Sequence, residues 1–159
     1  MNGKIVGSML LLVAALTAAA VWYLQVYGFY EDVTELHDTQ AITLTLPDGQ
    51  SAPLPITDFR GIDATSSPLR YRACFAVDVA QAEAAAPYDA PTPLNGPNWF
   101  KCYSARALTA DLASGAAHAY LAQRDIRPGV DRVIAVYPDG RAFAWHQLND
   151  SAEERRVIE

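Results

Sequence analysis

The side chains in this sequence best suited to chemistry are two cysteines, Cys74 and Cys102, each with cations beside it. Arg70 and Arg72 precede the first, and Lys101 precedes the second. A reduced thiol next to guanidinium groups would have a depressed pKa and act as a nucleophile. That use also needs a positioned base, and no histidine lies near either cysteine in sequence. An even cysteine count in an oxidising compartment points instead to one disulfide, Cys74 to Cys102. It closes a loop of 28 residues, worth ~3–4 kcal/mol in the chain-entropy model. The spacing is not C-x-x-C, so a thioredoxin-like pair has little support. A third use of the same stretch is capture of an anion or peptide carboxylate by Arg70 and Arg72, with Lys101 as a further candidate cation.

Other chemistry finds fewer residues. His37, His118 and His146 are scattered, and none forms H-x-x-x-H or H-E-x-x-H, so no metal site is expected. His146, between Trp145 and Gln147 on a strand, reads as a hydrogen-bonded structural histidine. The two methionines, Met1 and Met9, fall at or within the apolar N-terminus, which argues against copper handling. Ser66, Ser67 and Ser104 lack a G-x-S-x-G elbow, and there is no P-loop or G-x-G-x-x-G. Asp63, Asp111 and Asp131 cannot be paired by spacing and read as turn, cap or solvated charges. The expectation is a protein with no catalytic residues and no cofactor.

These residues must be positioned by a domain whose strands and turns are partly readable. Ile42, Leu44 and Leu46 alternate with threonines over Ala41 to Leu46, the period of a half-buried strand. Pro47-Asp48-Gly49-Gln50 is a turn, and Ser51 to Ile56 returns as an edge strand because of its two prolines. Asp58 to Ser67 reads as a loop. Leu69 to Val77 reads as a strand with Leu69, Tyr71, Ala73, Phe75 and Val77 on the core face and Arg70, Arg72, Cys74 and Ala76 on the other. Val79 to Ala86 suggests a short helix, and Pro87 to Pro97 a proline-rich connector leading to an aromatic cluster, Trp99 to Tyr103. Ser104 is placed to cap a helix over Ala105 to Ser114, closed by Gly115, with Leu108 and Leu112 on its buried face. A second helix is expected over Ala116 to Arg124. Asp131 to Tyr137 and Ala142 to Leu148 flank Pro138-Asp139-Gly140-Arg141, a hairpin signal.

Ahead of that domain lies an uncharged run from Ile5 to Tyr30, preceded by Lys4. A hydrocarbon core of ~30 Å needs ~20 helical residues, so Ile5 to Leu24 suffices to span it. Trp22, Tyr23, Tyr27, Phe29 and Tyr30 gather at the far end, where rings sit at the membrane interface. Glu31, Asp32, Glu35 and Asp38 follow, so the positive-inside rule leaves the N-terminus in the cytoplasm and sends the domain to the periplasm. Cleavage after Ala18-Ala19-Ala20 is the alternative, a signal peptide rather than an anchor. Gly3 and Gly7, with Ala14/Ala18 and Ala15/Ala19, offer small-residue faces for helix packing in lipid.

Beyond Tyr30 the chain carries eleven Lys/Arg against eighteen Asp/Glu, a charge of −7. Phosphate backbones need a basic surface, so no nucleic-acid partner is expected. The expected partners are membrane lipid and an integral-membrane protein complex.

Several segments together carry a resemblance: Tyr23-Leu24-Gln25-Val26-Tyr27, Gly61-Ile62-Asp63, Ser66-Ser67-Pro68 and Arg70-Tyr71-Arg72-Ala73-Cys74-Phe75. Gly129-Val130-Asp131-Arg132-Val133, Pro138-Asp139-Gly140-Arg141-Ala142 and Trp145-His146-Gln147 complete it. The sequence resembles a family of short, membrane-anchored alphaproteobacterial proteins of unknown function, some mislabelled as histidine kinases. The resemblance implies the topology and no activity, and the chain has no motif for an ATP-binding kinase domain. The expected architecture is α+β: a single N-terminal transmembrane helix, then a small, mostly antiparallel sheet with two helices on one face. Its segments are an anchor (1–30), a connector (31–40), a periplasmic domain (41–148) and a charged tail (149–159). The expected role is a non-enzymatic accessory subunit or assembly factor of an inner-membrane complex, with respiratory complexes among the candidates.

Overall fold

The computed structural model describes residues 2–34 and 41–152, in two units, Met1–Tyr30 and Glu31–Glu159. His37 and the end of the charged tail lie outside the described residues.

The first unit is helix α1 (Gly3–Tyr23), extended by a π-helical turn over Leu24–Gly28. Asn2 caps it, its side chain accepting from the backbone N–H of Lys4 at 3.2 Å. None of its residues is buried, including Gly3, Gly7, Ala14, Ala15, Ala18 and Ala19. Gly3–Gly28 is long and apolar enough to cross a membrane. Near its end Tyr23 stacks on Tyr27 at 5.9 Å and Trp22 meets Tyr27 edge-on at 5.7 Å. Phe29 is exposed and Tyr30 half-buried.

The second unit is α+β. It contains strands β1 (Glu31–Val33), β2 (Thr43–Thr45), β3 (Ser51–Pro53), β4 (Ile56–Asp63) and β5 (Arg72–Val77). Then follow α2 (Val79–Ala82), α3 (Ala105–Ser114), β6 (His118–Arg127), β7 (Val130–Val136) and β8 (Arg141–Leu148). Six strands form one antiparallel sheet in the order β1-β4-β5-β8-β7-β6, and β2 and β3 pair separately. The β7–β8 hairpin turns through Pro138-Asp139-Gly140, with Gly140 at φ 86°.

Both faces of the six-stranded sheet are covered. On one, Ala73, Phe75, Ala144, Ile134 and Ala122 pack under Ile42, Leu44 and Leu54 of the β2–β3 ribbon and Ala82 of α2. On the other, Cys74, Trp145, Val133 and Ala135 pack under Tyr103 and Leu108. Burying each large apolar side chain is worth ~1.5–3 kcal/mol, and Trp145 is fully buried. Helix α3 has the expected ends: Ser104 Oγ accepts from the N–H of Ala107 at 3.3 Å, and Gly115 closes it at φ 77°.

Double coverage explains where expectation and structure part. Of Ala116 to Arg124, expected as a helix, His118 to Arg124 lies in β6; its small residues face both packed layers, which removes the period-of-two signal. One helix of ten residues and a single turn, α2, therefore stand where two were expected. Asp58 to Ser67, expected as a loop, supplies most of β4, with Asp58 at φ 54° beside a register shift. Glu31–Val33, expected as connector, pairs with Gly61 to Asp63. Cys74 does share a face with Arg72, but that face is itself core, and the cysteine is buried among apolar side chains.

Candidate functional site

The residues singled out by sequence do not converge on one site. Cys74 and Cys102 form a disulfide that ties β5 to the loop before α3, with Cα atoms 6.3 Å apart. Arg72 is buried and donates to four backbone carbonyls. Its Nε reaches Leu94 O at 2.8 Å, one terminal nitrogen reaches Leu69 O (2.9 Å) and Tyr71 O, and the other reaches Asn95 O at 2.9 Å. The guanidinium also lies 5.6 Å from the centre of the Tyr103 ring. It clamps the proline-rich connector to the sheet. Arg70 is half-buried and has interactions of its own. Lys101 is exposed beside a small cleft of about 190 Å³ at the start of α3, which Arg72 does not line.

Gln147 and Asp131 hold the same face together. Gln147 Oε1 accepts from Thr92 N (2.7 Å) and Trp145 Nε1 (3.0 Å), while its Nε2 donates to Ala90 O at 3.0 Å. Asp131 accepts from Tyr88 OH, the N–H of Asp125 and Asn149 Nδ2. These buried polar groups are satisfied by backbone and loops, the requirement for burying them at all.

A larger cleft, about 640 Å³, opens at one end of the opposite face. Antiparallel register puts His146, Arg132 and Gln123 on neighbouring strands, Tyr71 directly precedes β5, and Asp63 follows Ile62, the partner of Arg72. Asp63, Gln123, Arg132 and His146 line the cleft, joined by Glu31 from β1 and Arg127 from the end of β6. Tyr71 lies fully buried beneath, its ring stacked on His146 at 4.6 Å and under the Arg132 guanidinium at 4.2 Å.

The hydrogen bonds of this cluster determine its protonation. Arg132 Nε can only donate, and it points at His146 Nε2 at 3.0 Å, so that nitrogen accepts. Nδ1 therefore carries the proton and donates to Pro68 O at 2.7 Å. Burial, followed by the charge of Arg132, pulls the imidazole pKa down to about 3. Both nitrogens are engaged and the ring is neutral, so His146 is placed as a strut rather than as a base or ligand. Burial pushes the Asp63 carboxyl up and the Arg132 guanidinium down, and it pushes the Tyr71 hydroxyl up to about 12. The Tyr71 hydroxyl has no hydrogen-bond partner among the described residues. Among those residues no cluster of three His, Cys, Asp or Glu side chains could hold a metal ion.

Sequence reasoning did not single out Glu31, Arg127 or Arg132. A signal existed for one: Arg132, Ile134 and Val136 alternate on β7, which aims a guanidinium at the same buried face as two aliphatic side chains.

The model of a family of unknown function, DUF6446, matches residues 42–156. The chain belongs to that family. The DUF6446 match contains both cysteines and the cleft residues Asp63, Arg127, Arg132 and His146, and it begins after Glu31. No curated protein and no solved structure matches the chain.

Proposed function

We propose that this DUF6446 protein is a single-pass protein of a bacterial inner membrane, with its N-terminus in the cytoplasm and its α+β unit in the periplasm. It serves there as a non-enzymatic accessory subunit or assembly factor of a membrane complex. The observation that carries the reading is an apolar helix with no buried residue, followed by a unit closed by a disulfide. An unburied helix of this composition needs an apolar solvent. Disulfides persist in oxidising compartments. Lys4 before the apolar run supports the orientation.

Two measurements test the reading. In intact cells, the disulfide should form and a membrane-impermeant reagent should reach a cysteine introduced at Lys101; a fully reduced, unreachable domain would overturn the topology. Native extraction in mild detergent should recover the chain in a stoichiometric complex. A lone monomer would overturn the subunit role and favour the thiol reading, in which reduced Cys74 titrates below an ordinary thiol. The burial of Cys74 in an apolar cluster favours the structural bridge.

A further inference from the structure

We propose that the smaller cleft, at the start of α3, binds a phosphate group, held by the leading N–H groups of the helix, by the Lys101 and Arg106 side chains and by the Tyr103 hydroxyl.

The cleft is rich in hydrogen-bond donors. A helix leaves its first N–H groups without intrahelical partners. In α3, Ala107 spends its N–H on Ser104 Oγ, whereas those of Ala105 and Arg106 have no acceptor among the described residues. The neighbouring carbonyls are already engaged. Pro97 O accepts from the N–H of Phe100 at 3.0 Å, Ser104 O from that of Leu108 at 3.0 Å, and Asn95 O from Arg72 at 2.9 Å.

Its charge has one sign. Lys101 and Arg106 are exposed, line the cleft and form no ion pair among the described residues. No Asp or Glu lines it, although the chain beyond Tyr30 carries a charge of −7. The positive end of the α3 dipole adds to the same sign, which is the setting in which helix starts take up phosphate.

Tyr103 is the observation that points to a ligand. It lines the cleft with 7% of its surface exposed. Its hydroxyl is buried and has no hydrogen-bond partner among the described residues. Burial pushes the phenol pKa up, so the group stays a donor. A buried donor left unmet is costly, and native structures satisfy nearly all of them. An anion seated between the helix start and Tyr103 supplies the missing acceptor.

Size and shape select the group. The cleft measures about 190 Å³, below the ~300 Å³ at which pockets take drug-sized ligands. It suits a small oxyanion rather than a whole nucleotide or peptide. A tetrahedral phosphate turns several oxygens toward the helix, the two cations and the phenol at once, whereas a planar carboxylate has only two. Charge-assisted bonds to those oxygens are the strong kind. The phosphate has two sources, a soluble anion or a lipid headgroup. Only the lipid source rests on the membrane topology proposed above.

The full-length chain in neutral detergent is titrated with inorganic phosphate and with acetate at fixed ionic strength, followed by calorimetry and amide NMR. Phosphate is expected to bind roughly tenfold tighter than acetate and to shift the Ala105 and Arg106 amides first. Lys101→Ala and Arg106→Ala, both on the surface, should each weaken it several-fold. Arg127→Ala, which lines the other cleft, should leave it unchanged. Tyr103→Phe separates binding from folding. It should weaken phosphate while the phosphate-free chain melts no lower, because an unmet buried hydroxyl adds nothing to the fold. No saturable phosphate binding, equal binding of acetate, or indifference to Tyr103→Phe overturns the proposal. The titration is then repeated in phosphatidylcholine nanodiscs with and without phosphatidic acid. Loss of free-phosphate binding only where phosphatidic acid is present assigns the lipid source, and equal titration in both assigns the soluble one. Phosphate binding by a chain that fails the topology test leaves the cleft standing and removes only the lipid source.

Discussion

Arg132 donates Nε–H to Nε2 of His146 at 3.0 Å across the β7–β8 pair, and this one bond sets the tautomer of the ring. With Nδ1–H turned to Pro68 O, the imidazole is a fixed link between a buried cation and the β4–β5 loop.

His146 should therefore stay neutral far below the usual histidine range. In the unfolded chain it titrates near 6.5, and in the folded chain near 3, because burial and then Arg132 disfavour the imidazolium. Between those values the unfolded state binds a proton that the folded state does not. The stabilisation is complete above pH 6.5 and is lost as pH falls through the window toward 3. Long-range nitrogen–proton NMR should show the Nδ1–H tautomer unchanged at pH 5. A ring titrating near 6 would contradict the assigned bonds.

Arg72 should behave as a structural residue rather than a ligand-binding one. Arg72→Ala strands the carbonyls of Leu94 and Asn95 and should cost roughly 3 kcal/mol, since buried acceptors left without donors lose their full desolvation penalty. Arg72→Lys should recover little, because an ammonium cannot reproduce the fork. Lys101→Ala, on the surface, should fall within ~0.5 kcal/mol of the parent. Urea unfolding measures all three, and hydrogen exchange should show the connector around residues 92–97 loosened first. Equal stability of the first and last variants would refute the clamp.

Some of this structure is legible in the sequence for physical reasons that also mark the limits. Ser104 and Gly115 bracket α3 because capping is local chemistry, and Pro138-Asp139-Gly140 makes a hairpin because left-handed backbone calls for glycine. β6 is illegible because Ala119 and Ala122 favour helix by propensity, while the strand is imposed by pairing with β7 and by packing on both faces. The candidate cleft is harder still. Glu31 meets Asp63 only because a three-residue strand with no periodicity of its own joins the sheet edge. Arg72 looked available because alternation assigned it to an open face, whereas the proline-rich connector covers that face.

The Cys74–Cys102 bridge should matter for stability more than for reactivity. It closes a 28-residue loop, worth ~3.5 kcal/mol in the chain-entropy model. Reduction, or the double change Cys74→Ala with Cys102→Ala, should lower the melting temperature by roughly 10–15 °C for a domain of this size. Thermal melts with and without reductant measure it. An unchanged melting temperature on complete reduction would show that the unfolded chain gains nothing from the cross-link.

The two Pro-Asp-Gly turns allow a matched comparison. Gly49 and Gly140 both adopt left-handed backbone, at φ 83° and 86°, where a side chain is strained by ~1 kcal/mol. Their surroundings differ. A Cβ at Gly49 would meet nothing within 4 Å, whereas one at Gly140 would come 2.9 Å from the Val77 carbonyl. That carbonyl cannot swing away cheaply, because the N–H of Val77 donates to Gly140 O at 2.9 Å and fastens the end of β5 to the hairpin. Gly49→Ala should therefore cost ~1 kcal/mol, and Gly140→Ala at least twice as much, with exchange of the Val77 amide accelerated. Equal costs in denaturant unfolding would mean that the β5 end does not abut the turn.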